Sequence, residues 1–96
     1  MKVTVTESER KDKRLKATFT SSDGKETSTH FGYKGGSTYI DHGDEKKRAA
    51  YLARHRVNEN WDDPKTAGSL ARHLLWGEHK TLQANVRAFK RKFTST

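Results

Sequence analysis

Ninety-six residues with an apolar fraction of 30% leave room for one small core, and the absence of cysteine excludes disulfides and thiolate metal sites. Twenty Lys and Arg against twelve Asp and Glu give a formal net charge of +8, which favours polyanions as partners, nucleic acid first. No run has the length and apolarity of a membrane span or a signal-peptide core, so the expectation is one soluble domain over residues 1–96 that is not exported by a signal peptide.

In chain order, Val3 and Val5, then Leu15, Ala17 and Phe19, then Thr27, Thr29 and Phe31 recur at period two and predict three antiparallel strands. Glu7 to Lys13 is polar enough for the first connection, and Ser21, Ser22, Asp23 and Gly24 form a turn signal before the return strand. The first strand is short, and it can pair within the chain or with a neighbouring molecule. Gly32, Gly35 and Gly36 mark a flexible crossover from sheet to helices; the stretch lacks the residue order of a P-loop and the spacing of a dinucleotide turn.

Three helices are predicted next. Asp44 is placed to cap a first helix over Glu45 to Arg56 that buries Ala49, Leu52, Ala53 and Tyr51. A second starts with Asp63 as N-cap and Pro64 as first residue and carries Ala67, Leu70, Ala71, Leu74 and Leu75 on one face, with Gly77 as its stop. Gly68 inside it costs about 1 kcal/mol, so a close helix or strand contact is expected there. The third, from Thr81 to Phe93, sets Leu82, Val86, Phe89 and Phe93 on one stripe and contains no acid. Strands followed by helices point to an α+β domain, a small three-stranded antiparallel sheet with three helices packed on it. The nine aromatic residues, Tyr33, Tyr39, Tyr51, Trp61 and Trp76 among them, each bring about 150–250 Å² of buriable surface to that small core.

Two cationic groups are candidate phosphate contacts: Lys46, Lys47, Arg54 and Arg56 on the first helix, and Arg87, Lys90, Arg91 and Lys92 on the third. Arg supplies a fork for phosphate oxygens and Lys a mobile point charge, so together they give affinity without base selection. The competing reading is a solvated face partly paired with Asp44 and Glu45. His73 and His79 are expected to gain protons in mild acid and strengthen anion binding. Trp61 and Trp76 read as closers of the core, base stacking being the alternative, and His30 reads as a satisfied strand residue. His42, Asp44, His55 and Glu59 could ligate a divalent metal in a nuclease, but no H-E-x-x-H spacing is present, and hydrogen bonding of His55, Asn58 and Glu59 to a helix end explains the same residues. No nucleophile elbow occurs, and no cofactor is implied.

The stretch from Tyr51 through Trp76, with His30 to Gly32, Tyr39 to His42, Thr81 to Leu82 and Lys90 to Phe93 around it, resembles a family of small basic proteins of unknown function encoded by large double-stranded DNA viruses of algae and protists and by some phages of aquatic bacteria. The resemblance covers all but about the first dozen residues and implies a viral origin, but it brings no catalytic or ligand residues with it. Residues and resemblance together lead to the expectation of a non-catalytic nucleic-acid-binding protein, DNA favoured, acting in the virion or the infected cell. A virion structural protein that attaches to capsid or tail components is the alternative, and a metal-dependent nuclease the third reading.

Overall fold

A computed structural model describes residues 1–94. Strands β1 (Lys2–Glu7), β2 (Lys13–Thr20) and β3 (Glu26–Tyr33) form one antiparallel sheet in the order β1-β2-β3. Val3 lies opposite Phe19, and Leu15 opposite Phe31. Because successive side chains alternate, this register gathers Val3, Leu15, Ala17, Phe19 and Phe31 on one buried face. The other face is polar, a field of Thr4, Thr6, Lys16, Thr18 and Thr20 open to solvent.

Four helical segments follow: α1 (Tyr39–His42), α2 (Glu45–His55), α3 (Ala67–Leu70), which runs on as a π turn (Ala71–Leu75), and α4 (Leu82–Phe93). The architecture is the α+β arrangement predicted, with α3, the π turn and α4 closing the core through Leu70, Leu74, Leu75 and Phe89. The π turn is widened at its end, where the Trp76 N–H reaches the Ala71 carbonyl five residues back.

α1 is the segment that periodicity did not announce. It is one turn long. The Asp41 carboxylate accepts the N–H and the hydroxyl of Thr38, both at 2.8 Å, and both arms of the Arg14 guanidinium from β2, at 2.7 and 2.8 Å. Gly43 ends the turn in the left-handed region at φ 64°, its N–H returning to the Tyr39 carbonyl.

Three other details differ from expectation. Asp44 does cap α2, accepting from Lys46 and Lys47 N–H, but Ala49 and Ala53 are exposed and Tyr51 is the buried residue. The reason is what α2 rests on: not the sheet but α1 and the turn after Leu75, where Tyr51 stacks on Trp76 with centroids 4.4 Å apart and Arg48 Nε donates to the Trp76 and Gly77 carbonyls. Second, α3 starts at Thr66, whose hydroxyl accepts the Ser69 N–H, because Asp63 spends its carboxylate on the Lys65 N–H two residues on and turns Pro64 into a loop residue. Third, Tyr33 is no core residue; it is 72% exposed at the end of the edge strand β3.

Candidate functional site

α4 is the best-supported platform for charge. Thr81 caps it, accepting from Ala84 N–H, and Leu82, Val86, Phe89 and Phe93 turn inward against the sheet and the π turn. Asn85 is also inward and 1% exposed. Its carbonyl accepts the His79 N–H, and its amide donates to the Leu74 and His79 carbonyls, each at 3.0 Å. The loop entering α4 is thereby tied to the end of the π turn.

With these five inward positions fixed, Arg87, Lys90, Arg91 and Lys92 are all exposed. At 100° per residue they spread over an arc of about 200°. Arg87 and Lys90 flank a groove of about 430 Å³ between α4 and β1, floored by Val3, Val5, Leu82 and Val86 and reached by Lys2. Lys92 looks the other way, into a cleft of about 160 Å³ shared with Arg72, His73, Gly77 and Glu78. Lys90, Arg91 and Lys92 also lie in the last turn, where the helix dipole favours cations. The α2 group, Lys46, Lys47, Arg54 and Arg56, is exposed too, on a support distinct from that of α4.

None of these eight cations is held by an acid. Among the described residues the Lys and Arg ion pairs are Arg10–Asp12, Arg14–Asp41 and Lys16–Glu9, and the histidine contacts are His30–Glu9 and His55–Glu59. The partial pairing of the α2 cations with Asp44 and Glu45 that the competing reading called for is not formed: Asp44 is used as a cap and Glu45 accepts the Tyr39 hydroxyl.

Two cations missed by sequence reasoning belong to this surface, Lys2 and Arg72. Arg72 is half-buried, its Cζ 5.2 Å from the centre of the Trp61 ring. Burial, with Arg48 nearby, holds its guanidinium below the ordinary arginine range. No hydrogen bond or ion pair among the described residues engages that guanidinium. A base in the middle of the apolar run from Ala67 to Trp76 was the available signal.

The polar segment around Glu59 is a latch. The Glu59 carboxylate accepts from His55 Nδ1 at 3.1 Å and from Trp61 Nε1 at 3.0 Å, and it sits against the bare Cα of Gly68. The close approach expected at Gly68 is thus made by a loop carboxylate and not a helix or strand. His55 in turn stacks on Tyr51, with centroids 4.2 Å apart, and burial pushes the Tyr51 hydroxyl up to about 12. Trp76, half-buried, stands between His42 and Tyr51, while Trp61, half-buried as well, is covered by Arg72.

The proposed metal set of His42, Asp44, His55 and Glu59 is not assembled. His55 meets Glu59, whereas His42 Nδ1 accepts the Asp44 N–H, and no three such side chains among the described residues are grouped to hold an ion. His73 also departs from expectation. Its Nε2–H donates to the Trp61 carbonyl at 2.9 Å, and burial lowers its pKa, so it takes up a proton less readily than an ordinary histidine and is a poor source of added charge in the cleft. His30 is satisfied as expected, Nδ1 lying 2.7 Å from the Ser8 hydroxyl. No helix among the described residues is long and apolar enough to cross a membrane.

Comparison with known proteins adds kinship. The uncharacterized protein L851 of Acanthamoeba polyphaga mimivirus is 36% identical over 78 residues, 75% of this chain and 78% of its own length. No solved structure matches. The profile of one protein family matches residues 3–55, that is the sheet, α1 and α2, so the first strand lies inside the match and the stretch after His55 lies beyond it. Sharing that profile over more than half its length, and with a relative in a virus, the chain belongs to the family of unknown function DUF5754.

Proposed function

We propose that this protein is a non-catalytic nucleic-acid-binding domain that holds phosphates through the cations of α4 and α2, DNA being favoured and sequence preference weak. The observation that carries the reading is that all eight candidate Lys and Arg are exposed and free of carboxylate partners among the described residues. An unpaired guanidinium or ammonium on a folded helix releases counterions when it meets phosphate, and that release supplies affinity without reading bases. A relative in mimivirus fits a protein that accompanies a large DNA genome in the virion or the infected cell, and we extend that circle to viruses of algae and protists and phages of aquatic bacteria.

The test is a gel-shift titration of double- and single-stranded DNA at two salt concentrations. With about six phosphates neutralised, affinity should fall about a thousandfold between about 50 and 200 mM salt. The variant R87E/K90E/R91E should flatten the log–log slope by about one for each phosphate that is no longer neutralised. A salt-independent response, or a variant that binds like the parent with unchanged circular dichroism, would refute the reading.

A further inference from the structure

The cleft between the π turn and α4 holds a cation that no acceptor among the described residues engages. Arg72 is half-buried, and its five N–H donors have no acceptor among the described residues, so they face only the solvent that reaches the cleft. Trp61 supports it from one side, with Cζ 5.2 Å from the ring centre. Lys92 lines the same cleft, Arg48 is close enough to oppose its charge, and the cleft volume of about 160 Å³ admits a tetrahedral oxyanion. Glu78 at the rim is exposed and makes no ion pair among the described residues.

We infer that this cleft is an anion site in which Arg72 and Lys92 grip one phosphate group, the anchor of a nucleic-acid backbone that otherwise runs over mobile surface cations. The inference rests on the nucleic-acid reading above and sharpens it. The fork of Arg72 takes two phosphate oxygens, and Lys92 closes on a third. Glu78 is a built-in opponent. Its carboxylate offsets the positive charge of the site and must yield when phosphate enters.

Two measurements test this. In DNA titrations at fixed salt, Arg72→Gln should weaken binding by about tenfold or more, Arg72→Lys should keep the charge yet lose most of that affinity, and Glu78→Gln should tighten binding several-fold. Arg91→Gln, whose side chain stands on the outer face of α4, should cost only the slope of one ordinary phosphate contact. Should the parent bind DNA with salt dependence while Arg72→Gln and Glu78→Gln change nothing, the anchor is wrong and the surface reading stands. In the second arm, inorganic pyrophosphate is titrated against the 15N-labelled protein and the backbone N–H resonances of Gly77 and Glu78, which line the cleft, are followed. A saturable shift that is lost in Arg72→Lys supports the site, and supports it for free phosphates alone if the parent does not bind DNA. No shift overturns it. Glu78→Gln alters only an exposed side chain, so at least one variant reports on a folded protein.

Discussion

The Glu59 latch makes a prediction whose sign reverses with context. A Cβ added at Gly68 would lie 2.8 Å from Glu59 Cδ and 2.9 Å from both carboxylate oxygens, so Gly68→Ala must push the carboxylate aside. That carboxylate is pinned by His55 and Trp61, and hydrogen bonds to a charged group contribute about 1.5–3 kcal/mol each. The Glu59 and His55 side chains are 23% and 41% exposed, so we halve that and expect about 1.5–3 kcal/mol for losing both bonds. Against it stands a gain of about 1 kcal/mol from replacing a helical glycine by alanine. Gly68→Ala should therefore destabilise the protein by about 0.5–2 kcal/mol, lowering the melting temperature by about 2–16 °C. In a Glu59→Ala background the obstacle is gone, and the same substitution should stabilise by about 1 kcal/mol. Urea denaturation of the four proteins in this cycle, followed by Trp fluorescence and circular dichroism, gives the coupling directly. If Gly68→Ala raises the stability of the parent, or acts alike in both backgrounds, the latch holds nothing in place and the sign reversal is refuted.

Three further outcomes are expected. Asp41→Asn breaks the fork to Arg14 and the cap on Thr38, and with both side chains about a third exposed it should cost about 1–2 kcal/mol in thermal denaturation. Arg14 also holds the Asp41 carboxyl far below the usual range near 3.8; stability from this pair is present above that value and drains away as pH falls beneath it, a limb that Asp41→Asn should remove from an acid titration. His73 has the opposite ionisation and the same direction: burial depresses its pKa below 6.5, with Arg72 and Lys92 opposing and Asp62 favouring the charged form. The unfolded chain then takes up a proton that the folded one refuses, so stability should fall from pH 6.5 downward by at most about 1.4 kcal/mol per pH unit, and His73→Asn should flatten that slope. Asn85→Leu fits the apolar stripe of α4 but orphans the His79 N–H and two carbonyls, and should cost about 3 kcal/mol by chemical denaturation.

Much of this architecture was legible because alternation is a strong signal: Val3, Leu15, Ala17, Phe19 and Phe31 had only one way to share a face. The inward stripe of α4 was legible for the same reason at helical spacing. What escaped were features decided by one side chain reaching another. α1 is too short for a period and exists because Asp41 ties Thr38 to Arg14, 27 residues away. The face of α2 was misjudged because its apolar alanines look inward on paper, whereas the surface that receives it is a row of aromatic rings and not aliphatic side chains. Asn85 reads as solvent-facing until the carbonyls it satisfies are known. For the candidate site, the exposed bases of α2 and α4 could be named from composition and spacing, while Arg72 showed only as a base within an apolar run, since its setting depends on Trp61 beneath it and on Glu78 lining the same cleft without forming an ion pair.

The way α2 is mounted has a consequence for how the molecule breathes. Its attachment runs through Tyr51 on Trp76, Arg48 on two carbonyls and a one-turn neighbour, with no side chain in the aliphatic centre. Such a helix can swing out while the sheet and α4 stay intact, and its amides should exchange with deuterium well before those of β2. Half of the proposed phosphate contacts would then ride on a hinged arm able to follow the contour of a bent polymer, and the other half on a rigid keel.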